Sequence, residues 1–112
     1  LRLRTDFWVR AYLRRCENAG LYGAVVHKGA AEAGAVYVLV NRLDGNGFLF
    51  EPAPGPAYDE RGERRFCLGH AGPLPADQLA ARGQRLIRAD PDIWLVEIED
   101  RAGSGFIEPE SN

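Results

Sequence analysis

The 112-residue chain has a net charge of −2 and 46% apolar residues, enough to bury the core of one folded domain without disulfide staples. That acidity excludes a general nucleic-acid binder, whose footprint is a strongly basic surface. No apolar run approaches the ~18 residues that span a bilayer, and the start lacks a secretory signal's apolar core, so a cytoplasmic protein without a membrane partner is expected.

The charge is unevenly spread. Residues 1–28 hold six basic and two acidic groups, 29–88 hold seven of each, and 89–112 hold one basic and seven acidic groups. Either the two ends neutralise each other within the fold, or the surface is bipolar and steers a partner. Cys16 and Cys67 make no Cys-x-x-Cys pair and no disulfide framework, which points to a reducing compartment.

Leu1 to Arg4 alternates apolar and basic residues, the pattern of a short edge strand. Helix is predicted next, with Thr5 as N-cap, Asp6 at the positive dipole end and Gly20 as the C′ residue. Trp8, Val9, Tyr12, Leu13, Cys16 and Ala19 share its apolar face, whereas Asp6, Arg10, Arg14 and Glu17 share the polar one. Phe7 falls outside the apolar stripe.

Ala24 to His27 reads as a short strand, followed by a small-residue turn over Gly29 to Gly34. A hairpin follows, its arms Ala35–Arg42 and Phe48–Glu51 joined by Leu43-Asp44-Gly45-Asn46-Gly47, where Gly and Asn supply positive φ. Its first arm carries Val36, Val38 and Val40 on one face and Tyr37 and Leu39 on the other, so both faces of the sheet must be covered.

Pro52-Ala53-Pro54-Gly55-Pro56 cannot pair inside a sheet and with Ala57 to Gly62 forms a long polar connection, mobile or functional. Arg65 to Leu68 is a fourth candidate strand. A second helix is predicted from about Ala76 to Arg88, with Pro75 at its start and Asp90-Pro91 as its stop. Ala80 and Gly83 leave its apolar arc nearly bare. A helix-interior glycine costs about 1 kcal/mol against alanine, which implies close approach to a bulky sheet residue.

The last strand lies within Asp90 to Arg101. Trp94, Val96 and Ile98 point one way and Ile93 and Leu95 the other, the signature of a central, doubly covered strand. The predicted order is (β)αβββ(β)αβ. The fold class is α/β (α+β): a mixed, largely antiparallel sheet with a helix on each face, or alternatively both helices on one face and a second subunit on the other.

The acidic exit of that strand is the candidate ligand site, since strand ends in helix-flanked sheets often carry one. Glu97 and Glu99 share a face and Asp100 can turn toward them, an arrangement that suits a divalent ion. Arg101, Arg42 and Arg14 complete the candidate set. The competing reading, which we favour, has the acids solvated or paired with Arg14, Arg15, Arg85 or Arg88. No resident metal or other cofactor is expected.

Other chemistry is weaker still. Cys67-x-x-His70 with Cys16 and His27 supplies four zinc-ligand types in no standard spacing, and a buried cysteine is usually a small hydrophobe. A Cys/His nucleophilic pair has no supporting motif, and no Gly-x-Ser-x-Gly elbow is present. The glycine pairs form neither a Walker nor a Rossmann loop. Arg2, Arg4, Arg10, Arg14 and Arg15 beside Phe7 and Trp8 read as a solvated helix face with the aromatics in the core.

The segments Asp6 to Cys16, Gly29 to Val38, Val40 to Gly45 and Asp90 to Arg101, above all Trp94-Leu95-Val96-Glu97-Ile98-Glu99-Asp100-Arg101, together resemble a bacterial family of short proteins, domain of unknown function 1491. The resemblance spans nearly the whole chain. It implies a bacterial, single-domain, cytoplasmic protein and transfers no activity or catalytic residue. The expectation is therefore a small non-enzymatic binding or protein-interaction module over residues 1–112, monomer or homodimer, with an unknown protein or small-molecule partner. The alternative is a small metal-assisted hydrolase or nucleotide-binding enzyme built on the strand-end acids.

Overall fold

A computed structural model describes residues 3–111 of the chain. Its elements are α1 (Thr5–Asn18), β1 (Tyr22–His27), β2 (Val36–Asn41), β3 (Asn46–Pro52), β4 (Phe66–Leu68), β5 (Leu74–Pro75), α2 (Ala76–Ala89) and β6 (Trp94–Glu99). The strands form one sheet in the order β1-β6-β2-β3-β4, with β5 pairing the start of β3 off that path. Last in sequence, β6 is inserted between β1 and β2, parallel to β2 and antiparallel to β1. The remaining pairs are antiparallel.

The two-faced apolar pattern of β2 and β6 has its physical counterpart in two cores. Val9, Tyr12 and Cys16 of α1 bury against Val36, Val38 and Val40 of β2 and Trp94, Val96 and Ile98 of β6. On the opposite face Leu79 of α2 packs with Leu39, Leu49 and Leu95. Burying a leucine such as Leu79 in this way is worth about 1.5–3 kcal/mol. One helix thus covers each face. Gly83 of α2 lies over Leu95, where an added Cβ would fall 2.8 Å from Leu95 Cδ2.

Several local details differ from the sequence-based expectation. Of the strand expected at Leu1–Arg4, Leu1 and Arg2 lie outside the described residues, and Leu3 and Arg4 form no strand. Arg4, not Thr5, occupies the N-cap, without a side-chain capping bond. The Thr5 hydroxyl instead donates to Gly34 O at 2.9 Å, and the Thr5 and Asp6 N–H groups donate to the Glu32 and Ala31 carbonyls. The neighbouring turn therefore satisfies donors that a capping side chain would otherwise serve.

In the hairpin, positive φ falls at Leu43 (65°) and Gly45 (90°). Leu43 is held there by its N–H bond to Asn41 Oδ1 at 2.8 Å. Pro52 closes β3 opposite Phe66 rather than opening the loop, a strand-end position where a missing N–H breaks little of the ladder. The two-residue β5 was too short to leave a periodic signal.

The long connection is knit together. Asp59 Oδ1 accepts the Arg61 and Glu63 N–H groups at 2.8 and 3.0 Å. The Arg65 guanidinium donates to the Pro54 and Pro56 carbonyls at 3.0 and 2.7 Å and forks onto Glu110 with two 2.7 Å bonds.

Candidate functional site

The six charged residues singled out in the sequence form no ion pair with one another among the described residues, although Arg42 packs against Gly103 in the turn that follows Asp100. Glu97 and Glu99 lie within β6, opposite Ala24 and Tyr22 of β1 and Leu39 and Asn41 of β2, so their side chains share the sheet face of Leu39. Both are half-buried and make no ion pair among the described residues.

Asp100 leaves in a different direction and has a structural role. Oδ1 accepts the Ala102 N–H at 3.0 Å, and Oδ2 accepts the Gly105 N–H at 2.8 Å and, more weakly, the Ser104 N–H at 3.3 Å. Burial pushes its carboxyl up, but these backbone donors outweigh burial and hold it below the usual aspartate range. They organise an exit turn in which Gly103, Gly105 and Phe106 all have positive φ. The buried Tyr12 hydroxyl donates to Gly105 O at 2.6 Å and fastens that turn to α1. Asp100 is therefore not available to complete a carboxylate cluster with Glu97 and Glu99.

Arg42 pairs with Asp44 in its own hairpin and lies 5.8 Å from the Phe48 ring centre. Arg101 is exposed in the exit turn. Arg14 lies on the outer face of α1, lining a surface hollow with Phe7, Arg10, Arg15 and Asn18. The exposed Phe7 there is flanked by Arg4 and Arg10 at 5.3 and 5.7 Å, while Trp8 stacks on Tyr12 at the core. The aromatic–basic arrangement on α1 is thus split, with one ring out and one ring in.

The cysteine and histidine set is scattered. Cys16 and Cys67 are both buried and free, in α1 and β4. His70 Nε2 accepts the Leu49 N–H at 3.1 Å, which leaves Nδ1 to donate to Gly72 O at 2.7 Å. His27 Nε2 donates to Pro91 O at 2.8 Å. Among the described residues no three His, Cys, Asp or Glu side chains gather into a group that could hold a metal ion.

Two features escaped the sequence reading. The first is the contrast between the two ends of the sheet. At one end β4 is covered by the C-terminal segment, where Cys67 bridges Glu110 and the Glu110 N–H donates to Phe66 O at 2.8 Å. At the other, β1 pairs among the described residues only with β6 and exposes Tyr22 (66%), Val25 (40%) and Val26 (47%). The register shifts between Val25 and His27, so the pairing is interrupted there. Gly23 presses this strand under α1, since a Cβ would fall 2.7 Å from Ile98 Cδ1 and 2.9 Å from Leu13 Cδ2.

The second feature is a cavity of about 620 Å³ beneath the proline-rich connection, with Arg64 in its wall. Arg64 sits in the run Glu60-Arg61-Gly62-Glu63-Arg64-Arg65, which in sequence looks like any solvated loop. Nothing local distinguishes its partly buried guanidinium from its neighbours.

The sequence profile of a family described as protein of unknown function DUF1491 matches residues 3–108. This chain belongs to the DUF1491 family. A crystal structure of a DUF1491 protein from Caulobacter crescentus CB15 is 43% identical, with a TM-score of 0.78 over 96% of this chain and 97% of that one. An NMR structure of a DUF1491 protein from the same organism is 44% identical, with a TM-score of 0.76 over 97% of each chain. A solution structure of an A. tumefaciens protein is 41% identical, with a TM-score of 0.73 over 88% and 86% of the two chains. No curated protein matches. The DUF1491 relatives thus share the fold and carry no assigned activity.

Proposed function

We propose that the chain is a small non-enzymatic binding module that takes an extended segment of a partner protein alongside β1. The observation that carries this reading is the edge itself. Among the described residues β1 leaves one side of its backbone unpaired under exposed Tyr22, Val25 and Val26, whereas the opposite edge is bridged by the chain's own C-terminal segment. Unpaired strand edges are templates for strand addition, in which main-chain bonds give affinity and alternate side chains give specificity. The register shift near Val26 confines regular pairing to Tyr22–Val25 and guards the edge against indiscriminate association.

Charge selects the occupant. Glu97 and Glu99 lie one strand in from the edge, on the Tyr22 and Ala24 face, with no cation paired to them among the described residues. An added strand would lie about 9–10 Å from β6, a gap that lysine or arginine and glutamate side chains can cross together. The partner segment is accordingly one with basic residues at alternate positions. A second copy of β1 would bring Tyr22 and Ala24 to this face and no cation, which favours a monomer that binds another protein. Engagement of Asp100 by its own turn tells against the metal-assisted enzyme. The reading also takes residues 1–112 as one domain in a bacterial cytoplasm, supported by the bacterial relatives and by two free, buried cysteines.

Titration of an extended peptide with lysine at alternate positions into isotope-labelled protein is the test. Saturable shifts of the β1 and β6 amides are expected, weakened when Glu97 and Glu99 are both changed to Gln. Elution as a dimer with β1 amides already protected from exchange would make the occupant a second copy. Unchanged β1 amides at millimolar peptide would end the reading.

A further inference from the structure

The cavity beneath the proline-rich connection lies on the β3–β4 side of the sheet, away from the β1 edge, and its chemistry is distinct. Leu3, Ala35, Pro52, Ala57 and Phe66 supply apolar wall, and among the described residues three arginines, Arg4, Arg64 and Arg65, share the lining with one carboxylate, Glu32. Two of the three cations are committed elsewhere. Arg4 pairs with Asp6 at 3.2 Å, and Arg65 is held by Glu110 and by the loop carbonyls.

Among the described residues Arg64 has no carboxylate within 4.0 Å. It donates to Thr5 Oγ1 at 2.8 Å and lies between the Trp8 and Tyr58 rings, 5.4 and 4.9 Å from their centres. Its Nε is buried out of reach of the cavity and has no hydrogen-bond partner among the described residues. Desolvation draws the guanidinium below the usual arginine range. Even a partly buried cation in a structural role ordinarily comes with an anion that satisfies its donors. Here two aromatic rings, the Thr5 hydroxyl and a side-chain hydrogen bond with Tyr58 hold the group in place, and its positive charge has no carboxylate paired to it among the described residues.

Arg64 also borders a second hollow of about 400 Å³, but there Asp59, Glu63, Glu108 and Glu110 already balance Arg15, Arg61, Arg65 and Arg64, so no net positive charge is left for an anion. The first cavity has the size and predominantly apolar lining of a small-molecule site with few polar anchors. We propose that it binds a small apolar monocarboxylate, with the carboxylate on Arg64 and the hydrocarbon body along Leu3, Ala35, Pro52 and Phe66. A single guanidinium whose charge no carboxylate balances among the described residues, in a wall that also carries Glu32, matches one negative charge rather than the two of a phosphate monoester.

Octanoate is the probe, with octanol, octylamine and inorganic phosphate as comparators, followed by calorimetry and by amide shifts of the whole chain. Octanoate is expected to bind saturably and shift Ala35, Val36, Arg64 and Phe66, with octanol at least tenfold weaker and no binding of octylamine or phosphate. Arg64→Gln should cost octanoate at least tenfold. Should that variant fail to fold, Ala57→Trp, on an exposed part of the wall, fills the cavity and should abolish binding. Glu32→Gln removes the opposing charge and should strengthen it severalfold. Absence of octanoate binding at millimolar concentration, equal affinity for octanol, unchanged binding in Ala57→Trp, tighter binding of phosphate, or weaker binding in Glu32→Gln would each overturn the proposal.

Discussion

Asp100 shows how one carboxylate can look like a ligand in sequence and act as a turn organiser in the fold. Three backbone donors at Ala102, Ser104 and Gly105 converge on it, and through Gly105 it fixes the point where Tyr12 ties α1 to the end of β6. Asp100→Asn keeps the shape but weakens charge-assisted bonds, and a loss of about 1–3 kcal/mol in urea unfolding is expected. The pH dependence has a definite sign. The folded-state carboxyl titrates below its unfolded value, so its stabilising contribution is full above the ordinary aspartate range near pH 4 and is lost as pH falls through the lower folded value. Acid unfolding curves of Asp100→Asn should therefore converge with wild type as pH drops below about 4. A constant gap from pH 7 to pH 2 would mean that the charge is irrelevant. Gly83 is legible at the same scale. Leu95 is 2% exposed and cannot swing away, so Gly83→Val should destabilise by about 1–3 kcal/mol, read from the urea midpoint. A midpoint equal to wild type would show that the helix lifts freely.

At the scale of elements, the connection between β3 and β4 departs most from its sequence appearance. Its prolines and charges suggest an open loop, but Arg65 staples Pro54, Pro56 and Glu110 while Asp59 closes an inner turn. The same arginine joins three segments, so its removal should loosen all of them. In Arg65→Ala, amide exchange at Arg61, Glu63 and Glu110 is expected to rise together by at least tenfold. An increase at Glu110 alone would show that the loop is held by Asp59 without the staple. The hairpin and both helices were readable because their signals are local: glycine at a turn, a 3.6-residue apolar stripe, a proline at the start. The helix N-terminus was misread at Thr5 because its donors are satisfied by the turn of residues 31–34, far along the chain.

At the scale of the whole molecule, alternation along β2 and β6 already required a sheet covered on both faces, since a strand apolar on both sides has no other stable environment. The sequence by itself therefore determined the mixed class, the central position of the last strand and the close approach at Gly83. Tertiary structure alone decided that β6 inserts between β1 and β2, leaving β1 as the open edge, and that the C-terminal segment closes β4. It also decided that Asp100 turns away from Glu97 and Glu99, and that Arg64, unlike its neighbour Arg65, finds no anion among the described residues. The physical reason is common to all of these. Periodicity records which side of an element avoids water, a property of neighbouring residues. The identity of what lies opposite is set by pairings such as Val36 with Trp94 or Arg65 with Glu110, and it leaves no trace in local spacing.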